Sequence, residues 1–181
     1  KTRYAQSVLG IGWAVIQPLF SMIVFTIVFG NLAKIDSNGV PYAIFSFTAL
    51  VPWTYFSGAL ASSSGSLLGA SGMMTKVYFP RLIIPMAPVL SKLIDFAIAL
   101  ILLAGMMVYY GFTPSIDIIY FPSLIILMIL TASGMGMWLT ALSIQYRDIN
   151  YGLGFLIQLL MYLAPVVYPA SNVPEHFRLL Y

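Results

Sequence analysis

Residues 10–33 form a run of 24 positions without a single charge. In helical form, at 1.5 Å per residue, such a run crosses about 30 Å of hydrocarbon. Inside a bilayer there is no water to satisfy backbone N–H and C=O groups, so a segment of this kind must satisfy them within itself, as a helix does. Gln17 and Pro18 lie inside the run. Proline is tolerated in a membrane helix where neighbouring groups satisfy the carbonyl it frees, which predicts a kink there. The polar residues 34–39 close the span.

The pattern recurs along the chain. Only 7% of the 181 residues are charged and 61% are hydrophobic, with a mean hydropathy of +0.96, whereas an ordinary soluble domain carries roughly a quarter charged residues. The chain reads as an all-α integral membrane protein, a polytopic transmembrane helical bundle with spans at about 10–33, 42–68, 90–110, 121–144 and 151–168. Span two carries Pro52-Trp53 and then a run of small residues, 57–66, of the sort that lets helices approach closely in lipid. Residues 111–115 read as a turn.

The few charges cluster between these runs, which marks loops. Alternating sides put Lys1, Arg3, Lys76, Arg81, Lys92 and Arg147 together, against Lys34 and Arg178 on the other side. Lys and Arg favour the cytoplasmic face, so the N-terminus and residues 69–92 are expected inside and the tail after Tyr168 outside. Five spans leave the end outside, so a sixth, returning span is expected beyond Tyr181. The net charge of +3 is an orientation signal at membrane boundaries and not the basic face of a nucleic-acid binder.

Residues 69–92 are the longest polar and proline-broken interruption. Met73, Met74, Val77 and Tyr78 recur at helical spacing while Ser71, Thr75 and Lys76 fall mostly elsewhere, which predicts a short amphipathic helix at the interface, about 71–78. Pro80 stops it, and Arg81 follows where a lipid phosphate or a partner's acid could meet it. The same pattern suits an interfacial helix without a partner. Lys92 and Asp95, three apart, share a helix face and read as a structural pair near the cytosolic interface rather than a proton relay.

Trp13, Gln17 and Phe20 fall on one face of span one, and Phe155, Gln158 and Tyr162 repeat the pattern in span five. Aromatic faces pack on the CH surfaces of sugar rings and amides exchange hydrogen bonds with hydroxyls; a packing seam with a buried amide has the same spacing. Tyr42, Trp53, Tyr55, Tyr109, Tyr110, Tyr120 and Tyr168 read as an interfacial belt. With no cysteine and one histidine, His176, neither a metal site nor a catalytic triad can be assembled. No G-x-x-x-x-G-K-[ST] run occurs, so the chain holds no P-loop of its own, and the spans lack the dispersed carboxylates of a proton-coupled carrier.

Several motifs in chain order carry a resemblance: Arg3-Tyr4, Leu9-Gly10, Trp13-Ala14 and Gln17-Pro18; Pro52-Trp53; 76–81, KVYFPR; Asp95-Phe96; Tyr146-Arg147-Asp148; and 165–169, PVVYP. Over nearly its whole length the chain resembles the permease subunits of bacterial ABC-2 type polysaccharide exporters for O-antigen, capsule and teichoic acid. The resemblance implies a homodimer in the bacterial cytoplasmic (inner) membrane, bound to two ATP-binding cassette ATPase subunits and exporting a lipid-linked glycan. ATP and Mg2+ would act in the partner, leaving this chain without a cofactor or catalytic residue. It further implies that the helix at about 71–78, with Met73, Met74, Thr75, Lys76, Val77 and Tyr78, docks on the ATPase. Spans one and five, with their two stripes, would line the substrate pathway, Arg3 and Tyr4 would stand at its cytosolic entrance, and 169–181 would re-enter the membrane from outside. Two family parts, an amphipathic helix before Lys1 and a last span after Tyr181, are expected in the longer protein. The rival expectations are an ABC-2 exporter of a drug or small lipid, and a secondary carrier.

Overall fold

The computed structural model describes residues 12–32, 39–74, 80–113, 115–146, 148–164, 166 and 168, with Met73 and Met74 described by backbone alone. Among the described residues there are helices and turns and no strand. In chain order they are α1 (Gly12–Phe25), a π-helical segment (Thr26–Leu32), α2 (Tyr42–Ser64), α3 (Ser66–Met74), α4 (Ile83–Tyr109), a 3-10 turn (Ile116–Tyr120), α5 (Phe121–Gln145) and α6 (Asp148–Leu163). Among the described residues four stretches are long and apolar enough to cross a membrane: Gly12–Leu32, Tyr42–Gly72, Ile83–Tyr109 and Ile116–Gln145. The chain is a multi-pass helical membrane protein.

The helices depart from the expected spans at points that have local causes. Pro18 lies inside α1, and the change to π geometry begins at Thr26, whose Oγ1 donates to the Met22 carbonyl at 2.8 Å. A hydroxyl bonding back to i−4 perturbs the ladder around it. α2 ends at Ser64, short of the expected 68, and Gly65 separates it from α3. α4 starts at Ile83 rather than near 90, because Pro85 sits in the first turn, where a missing N–H leaves no bond unmade. Only Pro88 is an interior proline there.

α4 ends in a Schellman motif: Phe112 N–H donates to the Met107 carbonyl at 2.9 Å and Gly111 N–H to Val108 at 3.1 Å. Gly111 has φ +65°, a backbone that glycine adopts without a Cβ penalty. The expected fifth span corresponds to α6, whose 16 residues reach about 24 Å at 1.5 Å per residue. Its Asp148 opens the helix, where a carboxylate suits the positive end of the macrodipole.

The chain divides into two compact units. One comprises residues 1–53, 95–112 and 161–181, the other residues 54–94 and 113–160. In the first, Leu50 and Val166 are buried with Phe25, Phe29, Trp53 and Met161 packed against them. Tyr168 Oη lies 3.2 Å from the Tyr162 carbonyl and 3.3 Å from that of Leu163, and so supplies a donor to the otherwise orphaned carbonyls at the end of α6. In the second unit, Leu60, Leu139 and Leu153 from α2, α5 and α6 form an apolar cluster with Phe56, Ile149 and Ile157 around it.

The belt expectation divides. Tyr109, Tyr110 and Tyr120 are exposed, but Tyr55 is 3% exposed and Tyr42 is buried too. Tyr55 Oη reaches the Val89 carbonyl at 3.4 Å, which makes it a helix-to-helix contact and not a headgroup anchor.

Candidate functional site

α5 buries one face, on which Ala132, Gly136, Thr140 and Ser143 are small and Leu139 is the one large side chain. Spacings of three and four place them on one side of the helix, and small residues there allow a neighbouring backbone to approach. At Gly136 the approach is tight, since an added Cβ would stand 2.8 Å from Ser63 Oγ. Ser63 Oγ itself donates to the Pro85 carbonyl of α4 at 2.8 Å. That carbonyl follows Ile84, whose own bond is lost because Pro88 has no N–H to donate.

The same face meets the end of α2. Thr140 Oγ1 stands 2.8 Å from the Ser63 carbonyl and 2.6 Å from that of Gly136. Ser143 Oγ stands 2.7 Å from the Ser64 carbonyl and 2.8 Å from that of Thr140. The last carbonyls before a helix break have no intrahelical donor, and in a water-poor interior each needs one. Ser64 Oγ donates in turn to Asn150 Oδ1 of α6 at 2.9 Å. A polar joint thus ties α2, α4, α5 and α6 where α2 gives way to α3, and α3 packs against α5. The small residues of 57–66 by themselves predict a packing surface and not this polar joint. The available signal was the row Ala132, Gly136, Thr140 in α5, a small-xxx-small pattern ending in a hydroxyl.

The stripes lie on outward faces. Trp13 and Phe20 are 50% and 66% exposed on α1, Gln17 is exposed between them, and Ala14 on another side of the helix is buried. On α6, Phe155, Gln158 and Tyr162 are exposed, opposite the face of Ile149, Leu153 and Ile157 that enters the apolar cluster. Among the described residues neither stripe packs as a seam. Each is an aromatic–amide surface free to meet something outside it.

Of the expected ATPase contact, Met73 and Met74 end α3, whose helix starts at Ser66 rather than Ser71. Thr75, Lys76, Val77 and Tyr78 lie outside the described residues, as do Arg3, Tyr4 and residues 169–181. Arg81 is exposed in the turn before α4. Lys92 is half-buried on α4, and its stem passes Gly58: a Cβ there would stand 3.2 Å from Lys92 Cε. Among the described residues no three His, Asp or Glu side chains come together as a metal site would need.

The sequence matches the family model for the ABC-2 type transporter over residues 1–181. This chain belongs to the ABC-2 type transporter family. Its relatives include the O-antigen export system permease protein RfbA of Myxococcus xanthus, 26% identical over 175 residues that make up 97% of this chain and 66% of that protein. The protein of the same name from Klebsiella pneumoniae is 27% identical over 178 residues, 98% of this chain and 68% of that protein. The polysialic acid transport protein KpsM of Escherichia coli is 20% identical over 181 residues, 98% of this chain and 69% of that protein. The chain therefore spans about two thirds of the length of these ABC-2 relatives.

Proposed function

We propose that this chain is the membrane-spanning core of an ABC-2 exporter that moves a lipid-linked polysaccharide across the bacterial cytoplasmic membrane, with its N-terminus in the cytosol. The observation that carries this reading is the family match over every residue, together with relatives whose names are those of O-antigen and polysialic acid exporters. The permease does no chemistry on its cargo. ATP with Mg2+ is hydrolysed in a separate ATP-binding cassette subunit, two copies of which engage a homodimer of the permease.

In this account α3 and the residues after it, Met73, Met74, Thr75, Lys76, Val77 and Tyr78, form the lever on which the ATPase pushes. α6 and its continuation to residue 168 make a fifth span, 169–181 re-enters the membrane from outside, and Arg3 and Tyr4 stand at the cytosolic entrance. The stripes Trp13, Gln17, Phe20 and Phe155, Gln158, Tyr162 line the path, where aromatic faces stack on sugar rings and the amides meet hydroxyls. The exposure of all six residues, on faces turned away from their own helices' packing, supports that role.

The full-length permease purified with its ATPase tests the lever. Replacing Lys76 and Tyr78 by alanine is expected to lower ATPase association at least tenfold while the permease still folds. Unchanged association together with unchanged export would remove the lever assignment.

A further inference from the structure

The connection between α4 and α5 is more apolar than a loop in water would be. From Tyr109 to Phe121 it carries one charged side chain, Asp117. Tyr109, Tyr110, Ile118 and Tyr120 are exposed, and Ile116 and Ile119 are 86% and 74% exposed. Bare apolar surface of this extent marks a contact with protein, ligand or membrane, and the lengths of the flanking helices favour the membrane.

α4 has 27 residues and α5 has 25, so they reach about 40 Å and about 37 Å. A bilayer is about 30 Å thick in its hydrocarbon and about 40–45 Å with its headgroups. At the far end of the pair, Arg81 stands two residues before α4 and Arg147 two residues after α5, and basic residues collect at a membrane boundary. With both arginines at the edge of one headgroup layer, the connection lies within the opposite headgroup layer and not beyond it. Tilting the helices shortens their reach along the membrane normal and draws the connection deeper. Placing Lys92 at the boundary in place of Arg81 draws it deeper still, since Lys92 lies well inside α4.

The local geometry suits that depth. Backbone donors short of water need partners within the chain: Gly111 and Phe112 N–H cap α4, and Ile118 N–H donates to the Ser115 carbonyl at 3.1 Å. A 3-10 turn has three residues per turn, so positions three apart eclipse. Ile116 and Ile119 therefore share one edge, and Asp117 and Tyr120 share another. On the polar edge Ser115 Oγ donates to Asp117 Oδ2 at 3.0 Å, which gives the single charge a partner. Before the turn, the rings of Tyr109 and Tyr110 pack edge to face at 5.2 Å, and tyrosine rings are at home at headgroup level.

We propose that the α4–α5 connection is a lipid anchor, with Ile116 and Ile119 entering the acyl boundary of the leaflet on that side while Asp117 and Tyr120 keep to its headgroups. The anchor depends on the chain spanning a membrane and not on what cargo it moves. In the transport reading the leaflet is the outer one.

The test uses the full-length permease, freed of any cysteine of its own, in vesicles of phosphatidylethanolamine and phosphatidylglycerol. Ile116→Cys, Asp117→Cys and Ile119→Cys are made singly and carry a bimane fluorophore. Labels at 116 and 119 are expected to be quenched at least twofold more by lipids with a nitroxide high on the acyl chain than by lipids with a nitroxide on the headgroup, and to be shielded from aqueous iodide at least fivefold relative to the free label. The label at 117 is expected to prefer the headgroup quencher. Iodide access at 116 and 119 equal to that of the free label would put the turn in water, and shielding from iodide and from both labelled lipids would mean that protein covers it. Either result would overturn the anchor, as would a label at 117 lying as deep as those at 116 and 119.

Discussion

A Cβ added to Gly136 would stand 2.8 Å from Ser63 Oγ and 3.1 Å from Ser63 Cβ, so α5 approaches α2 as closely as the absence of a side chain permits. Both atoms belong to a short side chain that already donates to the Pro85 carbonyl and has no long stem to swing away. Gly136→Ala is expected to cost about 1–3 kcal/mol, the usual range for overpacking a filled interior. Pairing it with Ser63→Ala removes the nearer atom, so the double variant should lose less than the sum of the singles. Thermal unfolding of the four proteins in one detergent measures this, and strict additivity would show that the contact does not limit the packing.

Two other glycines give a contrast. At Gly30 an added Cβ meets the Tyr42 ring at 3.0 Å, and Tyr42 is buried, so the ring has little room to yield. At Gly58 the neighbour is Lys92 Cε at 3.2 Å, the far part of a flexible side chain. Gly30→Ala should cost about 1–3 kcal/mol, while Gly58→Ala should stay within about 0.5 kcal/mol. The same unfolding assay orders them, and equal losses would contradict the argument from side-chain stiffness.

The stripes are expected to separate stability from transport. Trp13 and Phe155 are half or more exposed, so alanine at either should shift unfolding by no more than about 0.5 kcal/mol. If they guide sugar rings, export should fall at least about tenfold, equivalent to about 1.4 kcal/mol, with the ATPase still bound. Export at the parental level from both variants would return these residues to a lipid-facing role.

Much of the fold follows from simple sequence properties. Charge-free runs lead directly to α1, α2 and α5 and, after Asp95, to the rest of α4, and the turn at Gly111 is marked by its glycine. The break at Gly65 was not legible, because serine suits both a close helix contact and a carbonyl beside a break, and only the partner decides between them. Those partners, Thr140 and Ser143, are 77 and 79 residues away along the chain. The start of α4 was obscured by Pro85 and Pro88, which read as breakers although one occupies the first turn and the other's gap adjoins a carbonyl met by Ser63. In the stripes, spacing showed which residues share a face. It could not show that the faces point away from the chain's own packing, which depends on where Ala14 and Leu153 are buried.

Transport itself gives the most direct test of the account. The full-length permease and the proposed partner ATPase are reconstituted into vesicles that carry a lipid-linked polysaccharide on the outer, cytosol-equivalent surface, and the glycan reaching the lumen is measured. The account predicts accumulation that needs both subunits and hydrolysable ATP and is indifferent to ion gradients. Accumulation driven by an ion gradient without the ATPase, or ATP-driven movement of a small lipid or drug and no glycan, would contradict it.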